Sequence, residues 1–271
     1  MNFPDDRAQQ LPWLRNRIAV FELHGPIAGG SRVAQQVRLL HALREDKRIR
    51  GIVLDIDSPG GSAALSDHLH RAVRSVADRK PVVAHVRSAA LSGGYLVACA
   101  ATRIVALPTG MVGSIGVIIA RPIVRDLLER IGVQMYVSRV GENKDMLQPW
   151  REPTPEEDRK LAGLRDEYYD WFIETVAARR NLEPARVREL ATGEIFTANR
   201  GQTLGLVDDL GDIDTAVDMV TEMAKVPRAV TYARLRRPLL ERLLSPVGSA
   251  AADRLIGEIE SRLQVRAEFR S

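Results

Sequence analysis

Four stretches of this sequence are too apolar throughout to turn one face to water: IAVFELH (18–24), IRGIVLDID (49–57), PVVAHV (81–86) and RIVALP (103–108). Each is rich in β-branched residues, and the first two end at turn residues, Gly25-Pro26 and Ser58-Pro59-Gly60-Gly61, so each reads as a strand. Between them the apolar spacing changes to that of a helix. Val33, Val37, Leu39, Leu40 and Leu43 recur through 31–43, and Leu65, Leu69, Val73 and Val76 through 63–76. Strands buried on both faces, alternating with amphipathic helices, favour a mostly parallel sheet covered by helices.

The pattern continues with a buried helix opening in 92–101, a glycine-bearing apolar segment at 110–119, a helix over 122–132 and a strand over 133–139. A long helix is predicted over 153–181, with Thr154 as N-cap and Glu157 three residues on, the spacing of a capping box. Helices at 184–191 and 212–225 follow, separated by EIFT (194–197) and LGLVDDLG (204–211). The last part, 232–265, is basic and rich in leucine, broken at Pro246 and Gly248. These divisions suggest an N-terminal extension (1–17), one α/β domain (18–225) and a helical C-terminal segment (226–271) suited to subunit contacts.

Several function classes are disfavoured. Cys99 is the only cysteine, which excludes an internal disulfide framework and any multi-cysteine metal site. Five scattered histidines do not read as a metal cluster, so neither metal nor cofactor is expected. The net charge of +4 comes entirely from residues 221–271, where ten Arg and Lys face six Asp and Glu. Aromatics are 5% of the chain, too sparse for a nucleic-acid platform. No charge-free apolar window approaches the roughly 18–20 residues of a membrane span. The start, with Asp5 and Asp6, lacks the basic and apolar regions of an export signal. A cytoplasmic protein is expected, with at most peripheral membrane contact.

Two glycine pairs carry the chemical interest. Gly60-Gly61 closes a strand and Gly93-Gly94 follows Ser92 at the opening of a helix. Backbone N–H groups converging from two such places form an oxyanion hole for acyl transfer or enolate chemistry, although glycine pairs are also common turn devices. No P-loop, G-x-G-x-x-G or G-x-S-x-G occurs; Gly113-Ser114-Ile115-Gly116 is a partial lookalike of the last. A serine nucleophile needs a base. His24, His68, His70 and His85 are available, with Asp55 or Asp57, for a Ser-His-Asp arrangement, and Lys144 is an alternative if its surroundings favour the neutral amine. From the residues alone, the reading ends at an α/β protein with a backbone oxyanion hole.

Taken in order, DSPGG (57–61), SAALSGGY (88–95), TGMVGSIGVI (109–118), NKD (143–145), REPTPEED (151–158) and GEIFTANRGQTLGLVDDLG (193–211) resemble the signal peptide peptidase A family of serine peptidases. The resemblance implies an α/β fold of ClpP/crotonase-like stacked ββα units with a helical C-terminal extension. It also implies a Ser-Lys dyad: Ser92 as nucleophile, Lys144 as general base 52 residues later, and Ser114 holding the amine. The oxyanion donors fall on the backbone of Gly93 and Gly61. The implied activity is endopeptidase cleavage of peptides or unfolded, apolar segments by a homo-oligomer without cofactors. Two departures stand out: no membrane anchor is seen, and Asp55 stands where relatives often have Arg. The rival expectations are a non-catalytic scaffold or chaperone-like ring on a peptidase fold, and a crotonase-type acyl-CoA enzyme.

Overall fold

The computed structural model describes residues 16–233. It begins with β1 (Arg17–His24), α1 (Gly30–Glu45), β2 (Ile49–Ser58), α2 (Ala63–Ala77), β3 (Val82–Leu91) and the short α3 (Gly93–Ala98). Next come β4 (Arg103–Ala106), β5 (Met111–Gly113), α4 (Arg125–Arg130) and the long α5 (Pro155–Arg180). The described chain closes with α6 (Pro184–Leu190), β6 (Ile195–Thr197), α7 (Ala198–Thr203), β7 (Asp209–Leu210), α8 (Ile213–Ala224) and β8 (Val230–Ala233).

These strands form one sheet in the order β6-β5-β3-β2-β1-β8, with β4 pairing β3 and β7 at the side. All pairings are parallel except β5 with β6. Successive strand residues point to opposite faces, and both faces are covered. Phe21, Leu54, Ile56 and Ala84 join the large core with residues of α1, α2 and α3. Ile18, Val20, Val53, Val83 and Val105 pack with Ala216, Val217 and Val220 of α8. This two-sided burial is why the strands read as continuous apolar runs.

One irregularity positions the site. The first part of β3 pairs with β4 (Val83↔Arg103 to Val86↔Ala106), and its last part pairs with β5 (Ala89↔Met111 to Leu91↔Gly113). The β2–β3 register shifts at the same level, from Ile56↔Val86 to Ser58↔Ala90. The end of β3 is thereby brought beside the end of β2, and each leads into a glycine pair.

The capping box holds: Thr154 Oγ1 accepts from Glu157 N–H at 3.2 Å and Glu157 Oε2 accepts from Thr154 N–H at 2.8 Å. The strand expected at 133–139 does not form. Those residues are exposed and carry no strand assignment. Their β-branched composition meets no free sheet edge, and β-propensity without a pairing partner does not make a strand. The segment expected to be helical from 226 instead begins with strand β8, parallel to β1. Its remainder, 234–271, and the extension 1–15 lie outside the described residues. No helix among the described residues is long and apolar enough to cross a membrane.

Candidate active site

Ser92 joins β3 to α3 with φ 51° and ψ −121°, a conformation sparsely populated by residues with a side chain. It is held there from both sides. Its N–H donates to Gly113 O at 2.8 Å, continuing the β3–β5 ladder, and its carbonyl accepts Leu96 N–H at 3.0 Å to open α3. Tyr95, fully buried, anchors that helix by donating to Leu206 O at 2.9 Å. Burial pushes its phenol well above the ordinary range.

The turn after β2 lies directly against this junction. Ile27 N–H donates to Gly60 O at 2.7 Å and Ser62 N–H to Ile27 O at 3.0 Å, fixing the turn on both sides of Gly61. A Cβ on Gly60 would stand 2.8 Å from Gly93 N and 2.9 Å from Ser92 Cβ. One on Gly93 would meet Ser66 Oγ at 2.1 Å, with Gly61 N at 3.5 Å. The glycine pairs therefore serve close approach, which only a missing side chain permits. Among the described residues, neither the Gly61 nor the Gly93 N–H donates to a protein acceptor.

Ser114 takes its place through β5. Leu91 and Gly113 are register partners, so Ser92 and Ser114 leave adjacent strands side by side. Ser114, at φ 51°, donates its N–H to Glu194 O at 2.7 Å. Ser92, Ser114, Gly61 and Gly93 all line one cleft of about 870 Å³. Its far wall comes from α5, through Tyr168, Tyr169, Trp171 and Phe172. Sequence reasoning missed this wall. The signal was the cluster YYDWF (168–172) on a helix whose partner face was unknown.

Lys144 is elsewhere. It is exposed, in a turn at 141–147, and is not among the residues lining the cleft. Its side chain has no hydrogen-bond or ion-pair partner among the described residues. The turn is the tip of an arm, 117–150, whose apolar side chains are largely open to solvent; Ile118, Tyr136 and Val140 are 89%, 93% and 97% exposed.

The histidines do not reach the cleft either. His70 Nδ1 lies 2.8 Å from Leu96 O, and burial lowers its pKa. His85 and His24 are gathered with Arg87 around Asp55, which is wholly buried. Asp55 lies 2.8 Å from His85 Nδ1 and 3.1 Å from His24 Nε2, and accepts from Arg87 Nη2 at 2.6 Å. Burial pushes this carboxyl up, but the His85 and Arg87 hydrogen bonds outweigh it and bring it down to about 2. A carboxyl held below its unfolded value of about 3.9 contributes stability that is complete above that pH and lost as pH falls through the folded value. Asp55→Asn is therefore expected to lower stability at neutral pH by on the order of 1–2 kcal/mol after solvent screening. Urea unfolding at several pH values should show the wild type and variant converging between about pH 4 and 2.

With this geometry in view, sequence comparison decides the family. The profile of peptidase family S49 matches residues 74–227. The chain belongs to family S49. A relative from Synechocystis sp. is 37% identical to this S49 protease over 234 residues, covering 84% of this chain and 83% of its own length. The chloroplastic serine protease SPPA of Arabidopsis thaliana is 31% identical over 249 residues, 89% of this chain but 37% of the plant protein. The resemblance to the signal peptide peptidase A family is thus borne out, and with it a protease rather than an acyl-CoA enzyme. Among solved structures, the 1510-N membrane-bound stomatin-specific protease in complex with a substrate peptide superposes with a TM-score of 0.53 at 18% identity, over 86% of this chain and 98% of that one. The S49 protease therefore shares the α/β fold of that peptidase, in line with the α/β fold the resemblance implied.

Proposed function

We propose that this S49 protease is a serine endopeptidase that cleaves peptides or unfolded, apolar segments through a Ser92–Lys144 dyad. The observation that carries this reading is the meeting of a conformationally restrained Ser92 with two unpaired amides, Gly61 and Gly93, in one cleft. Neutral Lys144 takes the Ser92 proton as Oγ attacks the substrate carbonyl. The Gly61 and Gly93 amides then stabilise the tetrahedral oxyanion. Lys144 passes the proton to the leaving amine, and water resolves the acyl-enzyme by the same route. Ser114, beside Ser92, orients the lysine amine. The aromatic wall of α5 suits apolar substrate side chains.

In a single chain the arm that bears Lys144 does not bring it into the cleft. Its many exposed apolar residues are of the kind that proteins bury against partners. Both facts are met by a homo-oligomer in which the arm of one copy lies on its neighbour and supplies Lys144 to the neighbour's Ser92.

Fluorophosphonate labelling followed by intact-mass measurement and peptide mapping tests the reading. One adduct per chain on Ser92 is expected, with loss of casein cleavage in proportion to labelling. Full labelling at another residue, or cleavage that survives complete modification of Ser92, would sink it.

A further inference from the structure

The Lys144 side chain has no hydrogen-bond or ion-pair partner among the described residues, yet both of its neighbours in the sequence are tied down. Asp145 is buried, and its carboxylate accepts from Arg139 and, at 3.0 Å each, from Nε and Nη2 of Arg151. Arg151 also binds Glu157, Nη1 reaching Oε2 at 2.8 Å and Nη2 bonding Oε1, while Nη1 donates to Glu152 O at 3.0 Å. Glu157 is the capping-box residue of α5, buried, and its carboxyl is brought down to about 2 by Arg151 and by the Thr154 amide. On the other side of the lysine, Asn143 Oδ1 accepts from Lys160 Nζ at 3.1 Å, and Lys160 pairs with Glu156 at 2.7 Å. Arg121 holds the opposite limb, donating to the carbonyls of Met146 at 2.9 Å and Gln148 at 3.3 Å.

A guanidinium shared edge-on between two buried carboxylates is a rigid joint, because its donors lie in one plane and each fork fits one carboxylate. The joint here connects the lysine turn to the first turn of α5, the helix whose later residues wall the Ser92 cleft. General-base catalysis demands placement of the base within about 0.5 Å, which comes from locked supporting groups rather than from a solvated side chain. We infer that Arg151 is a positioning residue: by locking Asp145 to Glu157 it makes the Lys144 turn and the start of α5 a single rigid piece. This rests on the reading of Lys144 as the base.

The test compares Arg151→Met, Arg151→Lys and Asp145→Asn with Lys144→Ala. The readouts are kcat and KM on a fluorogenic apolar peptide, the rate of fluorophosphonate labelling at Ser92, and thermal midpoints. Arg151→Met is expected to lower kcat by about 30- to 100-fold with KM within about twofold, the pattern of lost orientation rather than lost binding. Its labelling rate at Ser92 should fall in step with kcat, because a base out of place takes the Oγ proton less often. Arg151→Lys should not restore kcat, since one ammonium cannot serve both carboxylates. Asp145→Asn preserves the shape of the turn and should reproduce the loss of kcat and of labelling rate even if Arg151→Met proves unstable to heat.

Wild-type kcat and labelling rate in Arg151→Met, or in a folded Asp145→Asn, overturn the inference while an inactive Lys144→Ala leaves the dyad standing. An active Lys144→Ala overturns the dyad, and the inference with it.

Discussion

Ser92→Ala is expected to cut peptide cleavage by about 10⁴- to 10⁶-fold while leaving the fold intact. The size follows from the chemistry. Without Oγ no acyl-enzyme forms, and what remains is the ability of the Gly61 and Gly93 amides to stabilise an oxyanion raised by water. The fold should survive because the φ of 51° at this position is imposed by the Gly113 and Leu96 hydrogen bonds, both made by the backbone. Alanine meets the same backbone restraint as serine, so the thermal midpoint should move little. Progress curves on a fluorogenic apolar peptide, with intact-mass confirmation of the variant, check this. Retention of more than about 1% of the wild-type rate would remove Ser92 from the nucleophile's role.

The second large effect concerns where the base comes from. Lys144→Ala alone should lower kcat/KM by at least about 10³-fold, as for the loss of a general base that activates a nucleophile. Mixed with Ser92→Ala in equal amounts, however, the two inactive variants should regain activity. A site shared between copies works wherever a chain with an intact serine meets a neighbour with an intact lysine. Random assembly makes that about a quarter of all sites, so about a quarter of wild-type activity is expected. A dyad within one chain predicts none. Subunits should be exchanged under mild dissociating conditions before assay. A mixture as inactive as its components would place Lys144 and Ser92 on the same chain.

What could be read from the sequence was mostly what is local. The strands at 18–24 and 49–57 declared themselves because two-sided burial leaves an unbroken apolar run, and Thr154 with Glu157 declared a helix start through their spacing. The grouping of Ser92, Ser114, Gly61 and Gly93 came from resemblance, and the structure shows what those residue types do together. Register and close backbone approach bring them to one cleft. What could not be read depends on neighbours distant in sequence. The run at 133–139 has strand composition but no strand edge beside it. β3 continues through the polar Arg87 and Ser88 because a second partner, β5, takes over there. Asp55, His24, His85 and Arg87 lie on three strands, and only the parallel register unites them. The aromatic cluster of α5, Tyr168 to Phe172, does not name in sequence the cleft it walls.

The separation of the lysine turn from the Ser92 cleft has a consequence for how such a protease is controlled. On the shared-site reading, a chain folded but alone holds Ser92 without Lys144 and is idle, much as a zymogen is. On that reading, concentration decides activity. Specific activity should fall on dilution and rise steeply with expression level, so that gene dosage sets the threshold at which proteolysis begins.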